Sequence, residues 1–184
     1  MFLYLLPDAE QATFLKVARL MSVSDNPMLW DGKAHDELTG DTDLSNVSLA
    51  ESEHERAIFD SFARECGKVY RSDGVTKELL SRLKLLPLVR QAEPAERARV
   101  ACEVLGTLVD QALAESVQPS VPKVMLYELM LLALADGEVS LVEEAQLRWL
   151  ADKFAIDEYT YADLLERAKS ISAEASRTIA IILE

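Results

Sequence analysis

The sequence predicts an all-α fold, a bundle of about eight helices built from two degenerate repeats. Three observations carry that prediction. Of the 184 residues 49% are apolar, while Gly and Pro number six each, a balance that suits helices over turn-rich sheets. Apolar residues recur at helical spacing behind capping signals, and no stretch alternates cleanly with period two. The phrase Val47-Ser48-Leu49-x-Glu51 returns as Val139-Ser140-Leu141-x-Glu143, so the chain reads as built twice. The length suits a single domain over 1–184.

The elements follow in order. Asp8 with Gln11 makes a capping-box start, followed by Phe14, Leu15, Ala18 and Met21 on one face. Ser48 with Glu51 is a second box, leading into Ile58, Phe59, Phe62 and Ala63. Thr76 is placed to cap a short helix carrying Leu79, Leu80 and Leu83, which ends near Pro87. Pro94 suits the first turn of a long helix over about 94–116, through Val100, Val104, Leu105, Leu108 and Leu113. Ser120 and Pro122 open an apolar helix with Leu126, Leu129, Met130, Ala133 and Leu134. Ser140 with Glu143 is a third box, before Leu147, Leu150, Ala151 and Phe154. Two short helices fit Glu158–Lys169 and Ser172–Leu183.

The repeat is read by displacement. Moved so that Val47 falls on Val139, the stretch 47–63 meets identical residues at Val47, Ser48, Leu49, Glu51, Arg56, Asp60, Phe62 and Ala63. Upstream, Leu20–Asp25 falls on Leu131–Asp136 only with a larger displacement. The difference predicts a loop insertion near 26–45, which is acidic and holds Trp30, Gly32, His35 and Gly40. The first repeat then spans about 8–86, the helix near 94–116 bridges, and the second repeat spans about 120–184. Trp30 is expected to anchor the insertion on the core.

The formal net charge is −13. Such a chain repels phosphate backbones and anionic lipid, which argues against nucleic acid and against direct membrane insertion. It attracts cations, metal ions or a basic protein surface. The apolar start Met1–Pro7 lacks a basic flank and is too short for a signal segment or a span, as is the run Leu129–Ala135. A cytoplasmic location is expected. Cys66 and Cys102 are too few for a disulfide framework or zinc cluster and read as reduced thiols within helices.

The segment Met125–Phe154, with Ala135-Asp136-Gly137-Glu138-Val139-Ser140 at its centre, resembles the TerB-like family. That family includes the tellurite-resistance protein TerB and the N-terminal domain of the DjlA-type co-chaperone. Its mark is a small-apolar helix, then Ala-Asp-Gly-Glu, an aliphatic residue, a cap and a second amphipathic helix. The resemblance implies an all-helical, duplicated domain linked to stress responses or tellurite resistance, with a metal role for acidic residues. By position that role would fall on Asp136 and Glu138. Asp25 is the counterpart of Asp136 in the first half, where the Asp-Gly-Glu is missing.

The residues of the turn have their own chemistry. Gly137 can take a positive φ and reverse the chain, Val139 returns to the core, and Ser140 with Glu143 caps the next helix. Helix grammar does not require both Asp136 and Glu138. Together with Glu143 and Asp25 they make a candidate hard-cation site, for Ca²⁺ or another divalent cation. An ordinary EF-hand is excluded, because its first two ligand positions would be Leu132 and Leu134. Asp41-Thr42-Asp43 begins a calcium-loop pattern but has Asn46 and Ser52 where Gly and Glu belong. Glu51 and His54 form half of a di-iron pattern whose second copy is absent, since Gln146 stands opposite His54. His35 and His54 are expected to face solvent. No nucleophile constellation or Gly-rich phosphate loop is visible.

The expected function is therefore a non-enzymatic binding domain that recognises a protein partner and responds to a cation at the Asp136 turn. The alternative is a purely structural assembly or interaction module whose acidic turns are only caps.

Overall fold

The computed structural model describes residues 2–50, 53–67, 73–109 and 118–183. Helix α1 (Asp8–Ser24) is enclosed along most of its length, from Thr13 to Ser24. Phe14, Val17, Ala18, Leu20 and Met21 are fully buried while Lys16 is exposed, so most of the helix surface is covered, the pattern of a central helix. Around it pack α2 (Glu53–Glu65), α3 (Asp73–Leu83), α5 (Pro94–Val109), α6 (Ser120–Ala133) and α7 (Leu141–Lys153). A four-residue helix, α4 (Leu88–Gln91), precedes α5, and α8 (Glu158–Leu183) lies against α6. One large apolar cluster runs from Leu3 to Ala168, with Phe14 and Phe62 edge-to-face at 5.4 Å. Each such buried side chain contributes roughly 1.5–3 kcal/mol relative to exposure. Helix α5 touches α1, α3 and α7. Residues 110–117 of the expected bridge lie outside the described residues.

The chain is mostly helical, as expected, but the elements differ at five points. The helices placed at 158–169 and 172–183 are one, α8. Ser170, Ile171 and Ser172 contain neither Gly nor Pro, so nothing there stops the backbone ladder. Helix α4 was not foreseen. Ser48 is no cap: it belongs to strand β2 (Val47–Leu49), antiparallel to β1 (Met28–Trp30), with Leu29 opposite Ser48 and Trp30 opposite Val47. Thr76 lies inside α3 rather than ahead of it. Gln11 does not close a capping box either: its Nε2 donates to the Leu6 carbonyl at 2.9 Å, tying α1 to the turn before it.

The insertion is thus a β-ribbon and an acidic loop, and not a plain loop. Asp31 and Gly32, at φ 52° and 76°, turn the chain so that Trp30 and Lys33 exchange backbone hydrogen bonds of 2.9 and 3.0 Å. Asp-Gly with two positive φ angles is the combination such a tight turn favours. Trp30 is 1% exposed, so the ribbon is pinned to the core as expected. His35 is exposed, its ring 5.8 Å from that of Trp30. Cys66 is buried and Cys102 half-buried, both free thiols. Glu51 and the His54 side chain lie outside the described residues. Among those residues no helix is long and apolar enough to cross a membrane.

Candidate functional site

The turn between α6 and α7 is built as its residue types require. The Gly137 N–H donates to the Leu134 carbonyl at 3.0 Å, and Gly137 takes φ 94°, which lets the chain reverse. Val139 packs half-buried on the core. Ser140 Oγ accepts from the Glu143 N–H at 3.2 Å, and Glu143 Oε2 accepts from the Ser140 N–H at 2.8 Å. This completes the third expected capping box.

Asp25 caps the C-terminal end of α1 and reaches the same place from the other half of the chain. Asp25, Asp136, Glu138 and Glu143 all line one cavity of about 180 Å³, with Ser22, Ile58, Leu132 and Ser140 among its walls. Asp25 and Glu143 are half-buried, whereas Asp136 and Glu138 are exposed. The fold brings the four expected residues together. It does not gather them tightly: among the described residues no group of three or more His, Cys, Asp or Glu side chains is arranged to hold a metal ion.

Two neighbours shape the electrostatics. Burial pushes the Glu143 carboxyl up from 4.5 to about 7; the Asp25 and Asp136 charges add to the rise, and the bonds with Ser140 oppose it. Glu143 therefore holds a proton to higher pH than an isolated carboxylate does. Behind it lies Arg97, 5% exposed, whose Nη1 donates to the Asp25 carbonyl at 3.3 Å. Burial lowers the Arg97 pKa and the Asp25 charge counters that. Arg97 balances part of the negative charge of the cavity. Gln146, fully buried, donates from Nε2 to Ser24 Oγ at 2.7 Å and fastens α7 to the end of α1. Asp136 and Glu138 make no hydrogen bond or ion pair among the described residues.

The sequence reading passed over Arg97, although it precedes Val100 and Ala101 by three and four residues and so shares the inward face of α5. It also passed over two surfaces at α8. A groove of about 490 Å³ lies between α6 and α8, walled by Phe2, Val124, Tyr127, Leu164 and Ile171, with Lys123 and Arg167 at its edge. Beyond it, α8 overhangs. Ser172 Oγ donates to the Leu134 carbonyl at 3.0 Å, and every residue from Ala173 to Ile182 is exposed. The overhang is roughly 15 Å of helix, and its first turn still faces the α6–α7 turn through Ala173 and Ser176, which line a cavity of about 680 Å³ with Glu138 and Val139. The apolar stripe that docks the first half of α8, through Leu164 and Ala168, continues along it as Ile171, Ala175, Ile179 and Ile182. Ile179 is 56% and Ile182 74% exposed.

Compared with family models, curated proteins and solved structures, the chain matches none.

Proposed function

We propose that the chain is a non-enzymatic helical interaction module, and that the overhanging half of α8 is its docking element, which pairs with the same segment of a second copy. One observation carries this reading: a stripe of Ile171, Ala175, Ile179 and Ile182 continues past the last residue the bundle covers. Isolated helices of such length are marginal in water and gain their stability from packing an apolar face. The overhang is also locally neutral. Its Glu174 and Arg177 pair with each other at 3.7 Å, so a second copy meets less of the repulsion that a net charge of −13 imposes elsewhere. The resemblance of Met125–Phe154 to the TerB-like family, with its stress and tellurite-resistance role, supports binding over catalysis. Light scattering on the full chain should show a dimer at high concentration. The double variant Ile179→Asp with Ile182→Asp should be monomeric with its helix content retained. A wild-type chain that stays monomeric at every concentration refutes the reading.

A second reading, a cation-responsive domain, is favoured by the shared cavity of Asp25, Asp136, Glu138 and Glu143. Oxygen ligands of this kind suit Ca²⁺. Millimolar Ca²⁺ should then raise the melting temperature, and Asp136→Asn should remove the rise. A flat calorimetric titration with no thermal shift would end this reading and leave the acidic turn as a helix cap.

A further inference from the structure

We propose that the groove between α6 and α8 binds a small apolar carboxylate of the fatty-acid type. Ile171 closes this groove and also begins the stripe of α8, but the groove's cations, Lys123 and Arg167, both precede the overhanging residues 173–182 in the chain. The volume of about 490 Å³ falls within the ~300–1,000 Å³ common for small-ligand pockets. Phe2, Val124, Tyr127, Leu164 and Ile171 give it mostly apolar or aromatic walls, with Ser170 beside them. The Phe2 wall is fixed from behind: its backbone N–H donates to Glu128, a fully buried carboxylate on α6, and its ring lies 5.9 Å from that of Tyr127.

The charges select the ligand. Among the described residues only two charged ones line the groove, Lys123 and Arg167, and both are cations on a chain whose net charge is −13. Arg167 is oriented by Asp163, whose carboxylate takes its Nε at 3.0 Å. Burial and the nearby Glu128 charge raise the pKa of the Tyr127 phenol, and the Arg167 charge counters them. Lys123 makes no ion pair among the described residues. The groove therefore offers a positive edge and a donor beside an apolar trough, which suits one carboxylate on a hydrocarbon body.

An acidic amphipathic helix has the same two chemical features but a worse fit. Asp163 and Glu174 stand about one turn before and two turns after Arg167 on its flank of α8. A long acidic partner meets Glu174 as well as Asp163, whereas a small single-headed ligand at Arg167 meets only Asp163, which Arg167 already pairs.

Calorimetry with the full chain and dodecanoate tests the proposal. Dodecanoate should bind saturably with one ligand per chain, and dodecanol, with the same hydrocarbon and no charge, at least about tenfold more weakly. Lys123→Glu with Arg167→Glu should weaken dodecanoate by at least about the same factor while leaving helix content unchanged. Lys123→Gln with Arg167→Gln serves if the reversal disturbs folding. The absence of binding overturns the proposal, as does equal affinity for acid and alcohol. Tighter binding of an acidic amphipathic peptide than of dodecanoate also overturns it and assigns the groove to a protein partner.

Discussion

The two junctions between paired helices carry the same phrase and fold it differently. Between α6 and α7, Val139-Ser140-Leu141 leaves a glycine turn and enters a helix, with Ser140 as the cap. Between α1 and α2, Val47-Ser48-Leu49 is a strand whose partner, Met28–Trp30, lies across the insertion. The residues are identical, so the difference comes from what precedes them. Gly137 sits three residues before Ser140 and reverses the chain there. The first junction has no glycine at the matching place, and the Asp31–Gly32 turn starts a ribbon instead. A short phrase with β-branched and capping residues carries no fixed structure; what it meets outside itself, a glycine turn or a partner strand, decides.

The largest test of that contrast is Trp30→Ala. If the ribbon holds the first junction through this one buried side chain, the substitution should cost about 3–5 kcal/mol in urea unfolding. A loss below about 1 kcal/mol would mean the ribbon is set by its backbone alone. The second junction should instead be sensitive to pH. In the folded chain Glu143 keeps its proton to about pH 7, whereas the unfolded chain releases it near 4.5. The folded state binds more protons within that window. The Glu143 contribution is therefore fully present below about 4.5 and lost as pH rises through about 7. Glu143→Gln keeps an acceptor for the Ser140 N–H and should flatten this fall. A slope that the variant leaves unchanged would show that other groups set it. The smallest effect separates the two serines directly. Ser140→Ala should cost about 1 kcal/mol and Ser48→Ala less than about 0.5 kcal/mol, because only Ser140 is a cap. Equal losses would erase the distinction.

Much of the architecture was legible because local rules act within a turn or two. The helical periods of α1, α5, α6 and α7 are in the sequence, and so is the Ser140–Glu143 box, since its partners are three residues apart. What escaped was decided at a distance. Strand β2 exists only because β1 is folded against it, and three residues without a clear alternation announce neither. The break expected between Lys169 and Ser172 relied on serines, which permit a helix to pass when no Gly or Pro stops it. At the site, the acidic residues were readable but their surroundings were not. Arg97, from another helix, alters the charge that a cation would meet, and the half-buried position of Glu143 makes its carboxyl a proton acceptor. The groove at α8 joins Phe2, Tyr127 and Ile171, which no single period links.

The enclosure of α1 has a kinetic consequence. The helix is translated early, yet α5, α6 and α7, which cover it, come later, and α7 begins only at Leu141. At roughly 5–20 residues per second, its apolar surface waits on the order of ten seconds for its last neighbour during synthesis. Contacts so far apart along the chain slow folding and expose unfinished intermediates to aggregation.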